Sequence, residues 1–315
     1  MKLAAIDTGT NSTRLLISDY SDGKFVTLER KMEITRLGRD LDINNHFISE
    51  DSARKTLEVL SSYQNMMKSY NVIKYRAIGT SALRKAENSK DFISLVEKET
   101  GIKIDVISGR EEAFLSFYGA MKDINLNLPG SKSGSNYMIL VIDVGGGSSE
   151  FILGDHSCNL EFTHSTDIGC VNLTERFLDS GVPGMEKINQ MHDYIKEKLE
   201  STIVNIKKFK PLYVIGLAGT ITTLAAIDLK LAVYDSERIH GHVLSLDRIE
   251  EIYDFLCGMN TEDRKKVTGL NPKRADIIIG GVAIVVEVLR MLDCKSIHVS
   301  EKDILDGIVY TLVDF

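Results

Sequence analysis

Apolar residues run along this chain in two rhythms. Short apolar stretches at residues 3–6, 15–17, 75–78, 102–107, 137–141, 151–153, 212–215 and 296–299 are bounded by glycine or polar residues and predict strands. Residues 24–30 extend the first hairpin as a further strand. Between these runs the apolar positions fall at helical spacing. Ala53, Leu57, Leu60, Tyr63 and Met67 line one face of a helix over residues 49–70, with Ser49 as its cap and Glu50 and Asp51 in its first turn. Further helices are predicted over 88–100, stopped by Gly101, and over 108–121, 185–208, 221–229 and 303–313. The stretch 272–292 is apolar nearly all round, which predicts a helix buried between other elements. The alternation of strands and helices is that of an α/β protein.

The run Ile142-Asp-Val-Gly-Gly-Gly-Ser-Ser-Glu150 interrupts two strands. Adjacent glycines cost backbone entropy and do not stabilise a sheet. They are read as letting main-chain N–H groups approach a bulky anion, with phosphate the obvious candidate. Asp143 and Glu150 would repel a bare phosphate, a conflict that a divalent cation between carboxylates and phosphate oxygens resolves. The stretch Ile6-Asp-Thr-Gly-Thr-Asn-Ser-Thr-Arg14 lies on this one at constant offset, with the isoleucine, the aspartate, a glycine and the serine identical. Two such strand-turn-strand units predict duplicated halves facing each other across a cleft, with a phosphate chain between their turns.

A chain of 315 residues fits two domains of ordinary size. Residues 125–136, rich in serine and glycine and containing Pro129, are the linker candidate. The boundaries drawn are 1–124 plus 300–315 for one domain and 125–299 for the other. Composition, with 43% hydrophobic and 26% charged residues, is that of a soluble globular protein. No apolar run approaches membrane-spanning length and no cleavable signal precedes the first strand, so the expectation is a cytoplasmic protein without a membrane partner. The four cysteines have no C-x-x-C spacing, which indicates neither zinc nor a disulfide framework. A net charge of −7 argues against general nucleic-acid binding, while a local basic groove can still hold a polyanion.

Several stretches carry two readings each. Arg36 and Arg39 are either solvated loop cations or groups facing a phosphate chain. Gly79-Thr-Ser-Ala-Leu-Arg84, at a strand's end and leading into a basic helical turn, is either an anion site or a helix cap. Ser108 and Glu111 match the S-x-x-E capping box, which leaves the neighbouring Glu112 without a structural job, opposite an apolar face of Ala113, Phe114, Phe117, Tyr118 and Met121. Read alone, Glu112 is an ordinary solvent-facing glutamate. Gly216-Leu-Ala-Gly-Thr220 is either an anion-binding turn before a helix or plain strand-helix turn chemistry. Cys170 reads as a packing residue rather than a nucleophile. His240 and His242 could share a metal only with a third ligand that the spacing does not supply, and Arg238, Lys273 and Arg274 are the better functional candidates of that region or else surface charge.

Taken together, Asp7-Thr-Gly-Thr-Asn-Ser-Thr-Arg-Leu15, Thr80-Ser-Ala-Leu-Arg84, Ser108-Gly-Arg-Glu-Glu-Ala113, Asp143-Val-Gly-Gly-Gly-Ser-Ser-Glu150, Gly169-Cys-Val-Asn-Leu-Thr-Glu-Arg176 and Gly219-Thr220 resemble the exopolyphosphatase/guanosine pentaphosphate phosphohydrolase family. That family has the actin, sugar-kinase and Hsp70 superfold. The resemblance implies two duplicated ribonuclease-H-like, actin-like ATPase domains flanking a cleft. It implies Glu112 as the glutamate that orients or deprotonates the attacking water, supported by Glu150, and Asp143 and Glu150, with Asp7, as holders of Mg2+ (or Mn2+). Asn11, Arg84, Gly145, Gly146, Ser148 and Cys170 are similar to residues lining the phosphate channel. The glycine turns add Ser12, Arg14, Gly147, Gly219 and Thr220 to the phosphate-binding set. The expected reaction is release of terminal orthophosphate from inorganic polyphosphate, or of the 5′ γ-phosphate of guanosine pentaphosphate. A kinase of the same superfold and a non-enzymatic nucleotide-binding sensor are the alternatives, and a homodimer is left open.

Overall fold

The computed structural model describes residues 1–39, 41, 46–122, 124 and 137–314. The expected linker at 125–136 lies outside the described residues, as does Asp40 of the arginine loop. The chain divides into two compact units, Met1–Gly119 with Ile304–Phe315, and Ala120–Asp303.

The first unit is built from strands β1 (Lys2–Thr8), β2 (Thr13–Ser21), β3 (Lys24–Glu33), β4 (Lys74–Gly79) and β5 (Ile104–Val106), with helices α1 (Glu50–Ser69), α2 (Ser81–Lys85), α3 (Ser89–Thr100) and α4 (Gly109–Met121). Its sheet runs β3-β2-β1-β4-β5, antiparallel through the first three strands and parallel from β1 to β5. Alternation along β1 explains a core on both faces. Ala4 and Ile6 pack with Leu60 and Tyr63 of α1, whereas Leu3 and Ala5 pack with Ile304, Leu305 and Ile308 of the C-terminal helix. Each fully buried leucine or isoleucine of this kind contributes about 2 kcal/mol.

The second unit holds β6 (Met138–Val144), β7 (Ser149–Asp155), β8 (Leu160–Thr166), α5 (Cys170–Phe177), α6 (Met185–Lys207), β9 (Tyr213–Leu217), α7 (Ala218–Asp228), α8 (Ser236–Ile239), β10 (Val243–Ser245), α9 (Leu246–Cys257), α10 (Thr261–Arg264), α11 (Ile278–Met291) and β11 (Ser296–Val299). The closing helix, α12 (Ile304–Asp314), belongs to the first unit. The second sheet runs β8-β7-β6-β9-β11-β10. Its first four strands repeat the hairpin, meander and parallel crossover of β3-β2-β1-β4, so the duplication read from two loops extends to the sheets around them. The α/β architecture in two related halves is present.

Three local expectations are corrected. Ser49 stands at the N-cap of α1, but its side chain makes no cap hydrogen bond. The helix expected from residue 272 is two elements, a 3-10 turn Pro272–Arg274 and then α11, because Asn271 caps the turn through Lys273 N and the chain bends before Ile278. The turn expected at 216–220 is not a loop either. Gly216 ends up inside β9, where a Cβ would lie 2.5 Å from Ile221 Cδ1, and α7 starts at Ala218, which takes a left-handed φ of 65°.

Candidate active site

In the first unit, register places Asp7 on β1 directly across from Arg14 on β2. The guanidinium donates to Asp7 Oδ2 through Nε at 2.9 Å and Nη2 at 2.6 Å, and the carboxylate is buried. Between them the turn closes with Gly9 N–H donating to Ser12 O at 3.0 Å. The loop after β3 is tied to the same turn, Arg36 N–H to Asn11 O and Gly38 N–H to Thr10 O, both at 2.9 Å. Arg36 and Arg39 therefore belong to a loop bonded to the turn that carries Asn11 and Ser12.

At the start of α4, Ser108 Oγ accepts from Glu111 N at 3.1 Å, which is half of the expected capping box. The other half is replaced, because the Glu111 carboxylate takes Arg76 Nη2 at 2.7 Å. Glu112 is not left idle. Its Oε2 accepts from Arg84 Nη1 at 2.8 Å, and the same nitrogen donates to Ile107 O at 2.9 Å. Both side chains are about one-third exposed, so the pair reaches solvent. The single apolar face expected for α4 is also too narrow. Leu115 and Phe117 are both buried, and α12 presses against Leu115 so closely that a Cβ at Gly307 would lie 2.0 Å from its carbonyl oxygen. Enclosure on several sides fixes the helix whose first turn presents Glu112.

In the second unit the same geometry recurs with one change of chemistry. Asp143 faces Glu150 across β6 and β7, as Asp7 faces Arg14, and Gly145 N–H donates to Ser148 O at 2.9 Å. Where the first turn is flanked by an ion pair, the second is flanked by two carboxylates in direct cross-strand register, both partly exposed. Like charges in that position destabilise a sheet unless a cation lies with them. Glu150 Oε1 accepts from Ser148 Oγ at 2.6 Å and Ser165 Oγ at 3.0 Å.

The glycine turn is shaped from behind by α5. Cys170 N–H donates to Gly145 O at 3.0 Å, Val171 N–H to Gly146 O at 2.9 Å, and Asn172 Nδ2 to Gly147 O at 2.9 Å. The turn's carbonyls are held on that side. The approach requires glycine at 169, since a Cβ there would lie 2.2 Å from Gly146 O. This alters the expectation for Cys170, whose amide serves Gly145 rather than a phosphate. Its thiol is 3% exposed, and burial raises its pKa against the smaller lowering effect of Arg274. The residue is a support, not a nucleophile.

Gly219 and Thr220 also differ from expectation. Thr220 is 1% exposed, with its hydroxyl against Cys170 and 2.4 Å from where a Cβ on Gly281 would stand. It packs α7 against α5 and α11. Over Gly219 lies the guanidinium of Arg274, whose Cζ is 1.9 Å from the position a Cβ would take. A cation beside the positive end of a helix is unfavourable alone and favourable once an anion joins it. A cavity of about 530 Å³ opens there, lined among others by Gly219, Thr222, Tyr234, Asn271 and Arg274. His242 pairs with Asp228 Oδ2 at 2.8 Å instead of sharing a metal with His240.

Within the first unit, then, Asp7 is joined to Arg14 and Arg84 to Glu112; within the second, Asp143, Ser148 and Glu150 are assembled beside Gly145–Gly147. Ser165 and Asn172 escaped the sequence reading, because only strand register and the docking of α5 reveal them. No group of three or more His, Cys, Asp or Glu side chains suited to a metal occurs among the described residues. The Asp143–Glu150 pair nonetheless fits a hard divalent cation that completes its shell with water and phosphate oxygens. Asp7 already shares its Oδ2 with Arg14. Among the described residues, no helix is long and apolar enough to cross a membrane.

Comparison with known proteins bears on the chain as a whole. The chain is 35% identical to a protein named Exopolyphosphatase 2 from Mycobacterium tuberculosis, over 99% of this chain and 98% of that one. The crystal structure of a Ppx/GppA phosphatase from Aquifex aeolicus superposes with a TM-score of 0.86 at 28% identity, covering 99% of each chain. An exopolyphosphatase structure from Cytophaga hutchinsonii superposes with a TM-score of 0.79 at 28% identity, over 100% of this chain and 98% of that one. These neighbours share the two-domain actin-like ATPase fold expected from the motifs. The model of the Ppx/GppA phosphatase family matches residues 16–314, and this chain belongs to that family.

Proposed function

We propose that this protein is an exopolyphosphatase, hydrolysing the terminal phosphoanhydride of inorganic polyphosphate to release orthophosphate, with the 5′ γ-phosphate of guanosine pentaphosphate as a second substrate of the same chemistry. Its membership of a phosphatase family and its likeness to an exopolyphosphatase over nearly the full length of both chains support the reaction class. The observation that carries the mechanism is the Asp143–Glu150 carboxylate pair in cross-strand register beside a glycine turn whose carbonyls are tied back by α5.

Asp143 and Glu150 would hold Mg2+ or Mn2+, which supplies charge neutralisation at the phosphoryl oxygens when bound. The amides of the second turn bind those oxygens, and Arg274 adds a fixed cation at the start of α7. Glu112 orients the attacking water and accepts its proton. Arg84 restricts the rotamers of that carboxylate by holding Oε2, which puts the base in one place at little entropic cost on substrate arrival. In the first turn, Asn11 and Ser12 would bind the phosphate chain, while Arg14 serves chiefly to neutralise Asp7.

Replacing Glu112 by glutamine keeps the size of the side chain and removes the base. The expected result is a loss of about 10²–10⁴ in kcat on polyphosphate, with KM changed far less. Near-normal turnover by Glu112→Gln would remove it from the reaction.

A further inference from the structure

We propose that Ser165 is a positioning residue, holding Glu150 in place while the Ser148 hydroxyl changes partner between the free and the substrate-bound enzyme. The inference rests on Glu150 belonging to the metal-holding pair. Both hydroxyls donate to one oxygen, Oε1, Ser148 at 2.6 Å from the glycine turn and Ser165 at 3.0 Å from β8. Oε2 has no hydrogen bond among the described residues. Ser165 is the direct cross-strand partner of Glu150, so Asp143, Glu150 and Ser165 form a row across β6, β7 and β8 on one face of the sheet.

The argument is one of proton inventory. A serine hydroxyl has one proton to give. While Ser148 gives it to Glu150, its oxygen can only accept, and the oxygens of an ionised phosphate chain carry no proton to offer. A side-chain hydrogen bond from Ser148 to phosphate therefore takes that proton away from Glu150. At that moment Glu150, with its several rotatable bonds, would be released unless a second donor stays. Ser165 is that donor, and it comes from a strand outside the turn, so movements of the turn on binding phosphate do not carry it away. In the first unit the row reads Asp7, Arg14, Met32, with no hydroxyl at the third position and an arginine where Glu150 would be. The device is present only where two carboxylates face each other.

The test is Mn2+ binding followed by electron paramagnetic resonance on the intact protein and on its Glu150→Gln, Ser165→Ala and Ser165→Thr variants. Thermal melts and steady-state kinetics on tripolyphosphate accompany it. Glu150→Gln should lose the bound Mn2+ signal. Ser165→Ala should bind Mn2+ about five-fold more weakly and turn over about five-fold more slowly, the loss expected for one hydrogen bond to a charged group near solvent, with KM and Tm unchanged. Threonine, which carries the hydroxyl and suits a strand, should restore both. If Ser165→Ala matches the parent protein while Glu150→Gln loses Mn2+, the positioning role falls and the metal assignment stands. If Ser165→Ala lowers Tm and threonine restores nothing, the role is structural and the proposal is overturned. Mn2+ that ignores the parent protein, or binds Glu150→Gln unchanged, overturns the metal assignment and the proposal with it.

Discussion

Arg274, one of the functional candidates read from the sequence, has a neighbour in space that the sequence did not announce. Its guanidinium lies over Gly219, at the first turn of α7, where only the absence of a side chain admits it. Two substitutions should therefore converge on one phenotype. Arg274→Ala removes the cation, and Gly219→Ala displaces it, because the added methyl would sit 1.9 Å from Cζ. Both should raise KM for polyphosphate about ten-fold, the loss of about 1.4 kcal/mol expected of one charge-assisted contact. Initial-rate measurements at fixed magnesium check this, and a KM left unchanged by both would place Arg274 outside the substrate's reach. The two turns were legible residue by residue because an aspartate, a glycine and a serine at fixed spacing define each one locally. What each side chain touches was not legible. Glu112 meets Arg84 only through the docking of α2 beside α4, and Ser165 meets Glu150 only through register.

At the scale of elements, one contact shapes the glycine turn and another bears on the stability of the second unit. The first is α5 against the glycine turn. Gly169→Ala would place its Cβ 2.2 Å from Gly146 O, a backbone atom that cannot rotate away. The turn must shift, and the expected outcome is a loss of at least about ten-fold in kcat/KM with the fold retained, measurable by kinetics alongside circular dichroism. The second is the buried junction of α6, α9 and α11. Glu287, 1% exposed, accepts from His192 Nδ1 at 2.8 Å, His192 Nε2 meets Tyr253 Oη at 3.0 Å, and Arg290 Nη1 lies 3.2 Å from Glu287 Oε1. Burial alone would raise the pKa of this carboxyl, but the hydrogen bond from His192 and the charges of His192, Lys196 and Arg290 bring it net below its ordinary 4.5. A carboxyl with a lowered pKa in the folded state contributes stability that is present above pH 4.5 and is lost as pH falls through the lower folded value. Melting curves taken from pH 6 downward should show this loss in the parent protein and a shallower acid limb in Glu287→Gln. The variant should also be less stable at neutral pH by about 2 kcal/mol or more, since it breaks a buried charged junction. Most strands and helices were read from periodicity with small boundary shifts, whereas β8, β10, α8, α9 and α10 were not read at all. The break at 275–277 was missed because Pro272 was read as the first residue of the helix, whereas the mostly polar run Lys273-Arg274-Ala275-Asp276 precedes the apolar stretch in which α11 begins.

For the whole molecule, duplication is the organising fact, and the two halves have diverged where chemistry requires it. The first keeps its aspartate quiet with Arg14 and supplies Glu112 with Arg84. The second has Glu150 in place of that arginine, giving a cross-strand carboxylate pair, the proposed metal holders. Metal dependence should therefore follow the second half. Asp143→Asn should raise the magnesium concentration for half-maximal activity about ten-fold or more, whereas Asp7→Asn should act mainly on stability by leaving Arg14 without its buried counter-charge. Magnesium titrations and thermal melts of the two variants separate these outcomes. The most direct measurement is phosphate release from long polyphosphate, tripolyphosphate and guanosine pentaphosphate, side by side, by the parent protein with magnesium, with chelator, and by Glu112→Gln with magnesium. Release from the terminal anhydride that disappears with chelator and falls about 10²–10⁴-fold in the variant is the predicted result. Release that persists under either condition, or no release from any of the three, would contradict it.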